Sequence, residues 1–197
     1  MNPKNVEALL YQALETELGG EKIYEAAILA ARNEDLLGEW TEYLAQTRQH
    51  QQHLRGAFAA LGLDDKAAHP SRELVKAKGE FMVGAIRRAI AQLDPDAAQI
   101  FAGECVTEAE TKDHLNWSLL EHVSQQGPAR YKDALAGPVS EVITQEAHHL
   151  FHTQGWTREL WIKQLGFPAA LPPPEEVKSV ETQIGAGRAE LQRDRFT

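Results

Sequence analysis

The sequence predicts an all-α protein, a bundle of four long helices with a long crossover between the second and the third. Three observations carry this reading. Apolar residues recur at three- and four-residue intervals along the chain, with no sustained alternation of period two. Four such segments run to roughly 26 residues each, which is roughly 39 Å at the helical rise. The links within each pair are short, whereas the link between pairs is long enough to return the chain along the bundle. Hydrophobic residues make up 43% of the 197 positions, enough to fill one such core.

The first helix is expected over about 5–31, with an inward stripe of Leu10, Leu14, Glu17, Glu21, Tyr24, Ile28 and Ala31. Gly19 and Gly20 sit mid-helix, where each costs about 1 kcal/mol against alanine; a close helix contact would account for them. Asn33 to Asp35 breaks the pattern. The second helix follows over about 36–61, with Trp40, Leu44, Thr47, Leu54, Phe58 and Leu61 inward, and Gly62 is a natural stop. The crossover holds a helix over about 72–93, with Ser71 able to cap it. Asp94-Pro95-Asp96 precedes a helix over about 97–123. QQGPAR interrupts, a short helical piece can cover Tyr131 to Leu135, and Gly137-Pro138 opens the last long helix, about 139–165, ending at Gly166. Residues 1–166 thus form the bundle. Residues 167–197 are proline-rich and then charged, and read as an arm with a short helix near Glu175 to Gln183.

Acidic residues outnumber basic ones 29 to 20, for a net charge of −9. Such a surface offers no general attraction to nucleic acid or to anionic membrane. A single cysteine, Cys105, excludes an intramolecular disulfide and a thiolate-caged metal. No stretch approaches the ~20 apolar residues of a membrane span, and MNPKNVEALLYQALETE lacks the apolar core of a signal peptide. A cytoplasmic location is the expectation.

Chemistry is signalled where polar residues interrupt the apolar stripes. Glu17 and Glu21 do so on the first helix, and His50 and His53 on the second. Glu104 and Glu108 follow on the third long helix, and Glu146 and His149 on the fourth. A buried carboxylate is costly unless paired or bound to metal, and these groups fall near the middle of their helices. Residues at i and i+3 share a helix face, so the Glu146/His149 pair and the His50/His53 pair can each reach one ion. Carboxylate oxygens and imidazole nitrogens together suit two adjacent first-row metals. Taken singly, each feature also has a structural reading, as a solvated glutamate or a hydrogen-bonded core histidine.

On these residues the chain resembles the ferritin-like superfamily of di-iron and di-manganese carboxylate proteins. ETELGGEKIYEAAILAA is similar to its first helix, YLAQTRQHQQHLRGAFAALGL to its second, and ECVTEAETKDHLNW and ITQEAHHLFHTQGW to its third and fourth. The resemblance spans about residues 5–165 and implies a ferritin-like four-helix bundle. It implies metal ligation by Glu21, His50, His53, Glu108, Glu146 and His149, with Glu104 and Glu110 as alternatives to Glu108. His50 stands where the family has a bridging glutamate. This set gives three carboxylates and three histidines, one negative charge short of balancing two divalent ions. The implied cofactor is iron, two ions, with manganese or zinc as alternatives. The implied activity is oxidase, ferroxidase or peroxide-related redox chemistry, acting on dioxygen, peroxide or a small-molecule substrate.

Two other readings compete. In a DinB-like bundle, a mononuclear site of three histidines would use His148, His152 and either His50 or His53, for thiol-dependent transfer. In a metal-free helical protein, the surface or arm would act by interaction. Four tryptophans, three of them on the two later helices, and the proline-rich arm point to a homodimer.

Overall fold

The computed structural model describes residues 1–177 and 180–196. Five long helices follow in order: α1 (Pro3–Ala30), α2 (Glu34–Leu61), α3 (Pro70–Gln92), α4 (Pro95–Gln126) and α5 (Ala129–Gln164). Their starts follow from local chemistry. The side chains of Asn2, Asn33 and Asp94 each accept a backbone N–H of the first turn, and prolines at 3 and 95 occupy the position where no N–H is required. His69, rather than Ser71, caps α3 by accepting from the Ser71 amide. Gly62 ends α2 in the left-handed region at φ 70°.

α1, α2, α4 and α5 form the bundle. Each packs on two of the others, in the cyclic order α1–α2–α5–α4. Contacts of descending against ascending number, such as Tyr24 with Tyr43 and Tyr11 with Phe58, make α1 and α2 antiparallel. The same holds for α1 with α4 (Thr16 with Asn116), α2 with α5 (Tyr43 with His152) and α4 with α5 (Glu104 with Trp161). α2 and α4 therefore run the same way, and the chain between them must travel back along the bundle. α3 makes that return lying on α1 and α4. It runs parallel to α1, with Tyr11 stacked on His69 and Glu15 paired with Arg72. Gly19 and Gly79 let the two backbones approach: a Cβ on Gly79 would stand 3.4 Å from the Gly19 Cα.

The last bundle helix differs from its expected start. One helix runs from Ala129 through Pro138, rather than beginning at Gly137-Pro138. A proline inside a helix removes a hydrogen bond and costs about 3 kcal/mol. Tyr131, Ala134 and Leu135, upstream of it, are buried in the same apolar cluster as Leu10, Leu54 and Phe58. Each large side chain so buried contributes about 1.5–3 kcal/mol, which offsets the proline.

Two apolar plugs fill the bundle. One holds Leu10, Leu14, Leu54, Phe58, Trp117 and Leu120. The other holds Ile23, Tyr24, Trp40, Ile86, Val106 and Trp156. Between them lies a buried polar layer that includes Glu17, Thr47, His50, Glu110, Asp113, Glu146 and His149.

The arm folds back on α5. A 3₁₀ turn at Pro174–Val177 and a short helix α6 (Gln183–Glu190) replace the expected single helix over 175–183, of which residues 178 and 179 lie outside the described residues. Val180 and Ala189 pack on Ala147, Leu150 and Phe151. Glu159, fully buried, receives Arg193, Arg158 and the Ala170 amide. Among the described residues, no helix is long and apolar enough to cross a membrane.

Candidate metal centre

The polar layer draws on all four bundle helices. α1 supplies Glu17, α2 His50, α4 Glu110 and Asp113, and α5 Glu146 and His149. His50 Nδ1 lies 3.0 Å from Glu146 Oε1 and 3.4 Å from Glu17 Oε1. His149 Nδ1 lies 3.6 Å from Glu110 Oε2 and 3.7 Å from Glu146 Oε1. Two triads result, Glu17/His50/Glu146 and Glu110/Glu146/His149, each with its ligand atoms within 4.8 Å of one another. Glu146 belongs to both. The two imidazoles lie nearly parallel, with centroids 5.5 Å apart.

The outer faces of the imidazoles are fixed by glutamines. His50 Nε2 is 2.7 Å from Gln145 Oε1, and His149 Nε2 is 2.8 Å from Gln46 Oε1. A carbonyl oxygen only accepts, so each Nε2 donates and carries a hydrogen. The arrangement is reciprocal: α2 offers Gln46 and His50, α5 offers Gln145 and His149, and each glutamine holds the histidine of the other helix. In metal sites an imidazole characteristically donates its second N–H in this way, which fixes the ligating nitrogen. Trp117 donates to Glu17 Oε1 at 2.7 Å.

The inner atoms are what such a frame leaves for an ion. Among the described residues, Glu17 Oε2, His50 Nδ1, Glu110 Oε2, Asp113 Oδ1, Glu146 Oε2 and His149 Nδ1 are all buried without a hydrogen-bond partner. One buried unsatisfied group costs about 1–3 kcal/mol, and more if charged. Such a concentration of unsatisfied buried polar atoms is unfavourable unless protons or cations are shared among them. The acidities show the same strain. Burial, opposed by the Tyr24 hydroxyl and aided by the charge of Glu17, pushes Glu110 up to about 8. Burial pushes Glu146 up to about 7, with the charges of Glu110 and Glu17 adding to it. Asp113 is raised well above its ordinary value by burial and by Glu17, Glu146 and Glu110. Burial would lower His50, but Glu17 and Glu146 outweigh it and raise it to about 11; burial lowers His149 to about 4. The buried carboxylates Glu17, Glu110, Asp113 and Glu146, when ionised, balance two divalent cations. These clusters can hold metal.

The structure brings His50, Glu146 and His149 together and places the other three expected ligands elsewhere. Glu21 lies one turn beyond Glu17, where it accepts from Arg48 and Gln51 at the α1–α2 edge. His53 is 28% exposed and faces Glu141 at 3.4 Å. Glu108 is exposed, and Glu104 is bonded to Trp161. Glu110, held open as an alternative, is the α4 glutamate that reaches the layer. Glu17 was on the predicted stripe but not in the expected ligand set. Asp113, Gln46 and Gln145 carried no weight in the sequence reading, although Glu110-x-x-Asp113 repeats the spacing of Glu146 and His149. No family model, curated protein or solved structure matches this chain.

Proposed function

We propose that this chain is a ferritin-like metalloprotein whose bundle centre binds two metal ions, iron before manganese or zinc, and supports oxidase, ferroxidase or peroxide-related redox chemistry. The observation that carries the reading is the convergence of the two Nδ1 atoms on the buried carboxylates of Glu17, Glu110 and Glu146, each of which has one oxygen without a hydrogen-bond partner among the described residues, with each imidazole held from behind by a glutamine. Glu146, common to both triads, would bridge the two ions, with Glu17 and His50 on one and Glu110 and His149 on the other. Asp113 would supply the fourth negative charge. Two such ions, when bound, supply a pair of one-electron couples at one site. The chain's part is to fix the ligands and, with its apolar plugs, to keep bulk water from the ions. The single long crossover with α2 and α4 parallel also supports a ferritin-like connectivity.

The DinB-like reading requires three imidazoles on one ion, and no cluster among the described residues brings three together. Metal analysis of untagged protein tests the proposal, followed by iron(II) titration under nitrogen and then in air. At least two ions per chain and iron(II) oxidation faster than in buffer are expected. A chain that takes up no transition metal overturns the metal centre, and one that binds but does not accelerate oxidation overturns the redox activity.

A further inference from the structure

The geometry points to a second divalent-cation site, built by Glu39, His152 and Glu176 on the flank of the bundle and shared between α2, α5 and the arm. It uses none of the residues of the buried centre and stands whether or not that centre binds metal. His152 Nδ1 lies 3.1 Å from Glu39 Oε1 and 3.4 Å from Glu176 Oε2, and the ligand atoms of all three lie within 4.8 Å of one another. The side chains are 12%, 13% and 20% exposed for Glu39, His152 and Glu176, so the site is recessed but open to water.

A single indole bridges the two carboxylates. Trp156 Nε1 donates to Glu39 Oε2 at 2.7 Å and to Glu176 Oε1 at 2.5 Å. The N–H turns the second oxygen of each carboxylate toward the same imidazole nitrogen. The ion pairs of Glu39 and Glu176 among the described residues run to His152. Tyr43 bonds to both Glu39 and His152 and fixes their positions from the α2 side. Two oxygens and one nitrogen at this spacing, with water completing the shell, suit zinc(II), cobalt(II) or manganese(II).

The surroundings agree with a site that exchanges ions with solvent. The three ligands line a cavity of about 580 Å³ whose wall also includes Tyr43, Gln46 and Gln145. Those two glutamines are the ones that hold His149 and His50, so the cavity reaches the outer side of the buried layer. The arm is anchored near the site by Arg158 on Glu175 and by Arg193 on Glu159, which delivers Glu176 to it.

The test is equilibrium dialysis of the full, chelator-stripped chain against zinc(II), comparing the parent with Glu39→Gln, His152→Ala and Glu176→Gln. Each variant, made on a different element, is expected to bind one ion fewer per chain than the parent, whatever the parent's total. Circular dichroism and limited proteolysis confirm that bundle and arm remain folded, and a variant that fails this check is replaced in the comparison by the other two. The proposal is overturned if the folded variants bind as many ions as the parent, or if only one of them loses an ion. A buried centre that proves metal-free leaves the same one-ion difference intact, which separates failure of the functional reading from failure of this one.

Discussion

Glu146 is the residue on which both triads depend, so Glu146→Gln is the sharpest test of the centre. The change keeps the side chain's shape and removes its charge. A ligand that binds only the folded state stabilises it by RT ln(1 + [L]/Kd), about 2.7 kcal/mol when free metal stands at a hundred times Kd. For a domain of this size about 1 kcal/mol shifts the melting point by roughly 2–4 °C, so each ion bound should raise it by roughly 5–11 °C. Each triad has three ligands, and the substitution replaces a charged one in both. A loss of about a hundredfold in affinity leaves only about 0.4 kcal/mol of stabilisation for each ion at the same free metal, a shift of roughly 1 °C each. Differential scanning fluorimetry with and without iron(II) or manganese(II), at fixed free metal, measures this. Glu141→Gln, on the same helix but 64% exposed beside His53, is the control and should keep the full increment. If Glu146→Gln also keeps it, the ions are not held between the triads and the reasoning fails.

Other outcomes follow from the same geometry. Gln46→Leu or Gln145→Leu should weaken metal binding by roughly 10–100-fold while leaving the stoichiometry unchanged, because each removes the partner that orients an imidazole; titration calorimetry reads both quantities. His50→Ala should lower affinity, whereas His53→Ala, Glu21→Gln and Glu108→Gln should not, and an equal loss in all four would return the site to the ligand set read from the sequence. Burial opposes ionisation of Glu159, but the hydrogen bonds from Arg193, Ala170 and Arg158 prevail and hold its carboxyl below the ordinary value. A lowered carboxyl stabilises the fold above its unfolded value of 4.5, and that contribution is lost as pH falls through the folded value. The arm should therefore become susceptible to an acid-active protease on moving from pH 5 to pH 3 before the bundle unfolds by circular dichroism, and equal protection at both would refute the anchor. Trp161 is 43% exposed, and Leu74 and Phe81 are more than two-thirds exposed; sedimentation equilibrium should show a homodimer, and a monomer at micromolar concentration would dispose of that expectation.

The fold was legible because its signals are long and repeated. Apolar spacing over four segments, together with asparagine, aspartate, proline and glycine at their ends, defines helices whatever their partners. Pro138 misled because a local rule, that proline begins helices, competes with burial of Tyr131 and Leu135, which only tertiary packing reveals. The centre was legible in part for a related reason. His50, Glu146 and His149 stand on stripes defined by many neighbours. Choosing Glu17 over Glu21 depends on a rotation of about 40° between residues four apart, which no spacing rule resolves; Arg48 and Gln51 are what draw Glu21 to the edge. Glu108 and Glu110 lie about 200° apart on α4, so only the helix's rotation decides between them. The glutamines were missed because an uncharged amide on an inward face costs little and raises no alarm in a sequence.

The crossed pairs His50–Gln145 and His149–Gln46 make the sliding of α2 past α5 a chemical variable. A shift of one residue along the axis, about 1.5 Å, would stretch both hydrogen bonds at once, and neither imidazole could compensate for the other. Alignment of the two helices and readiness of the two nitrogens are thus one degree of freedom. A packing defect far from the ions, for example at the proline turn of α5, should then appear first as a fall in affinity rather than as a loss of helix content. Under the proposed metal reading, uptake becomes a vernier for the mechanical fit of the bundle, sensitive to displacements that bulk measures of folding do not register.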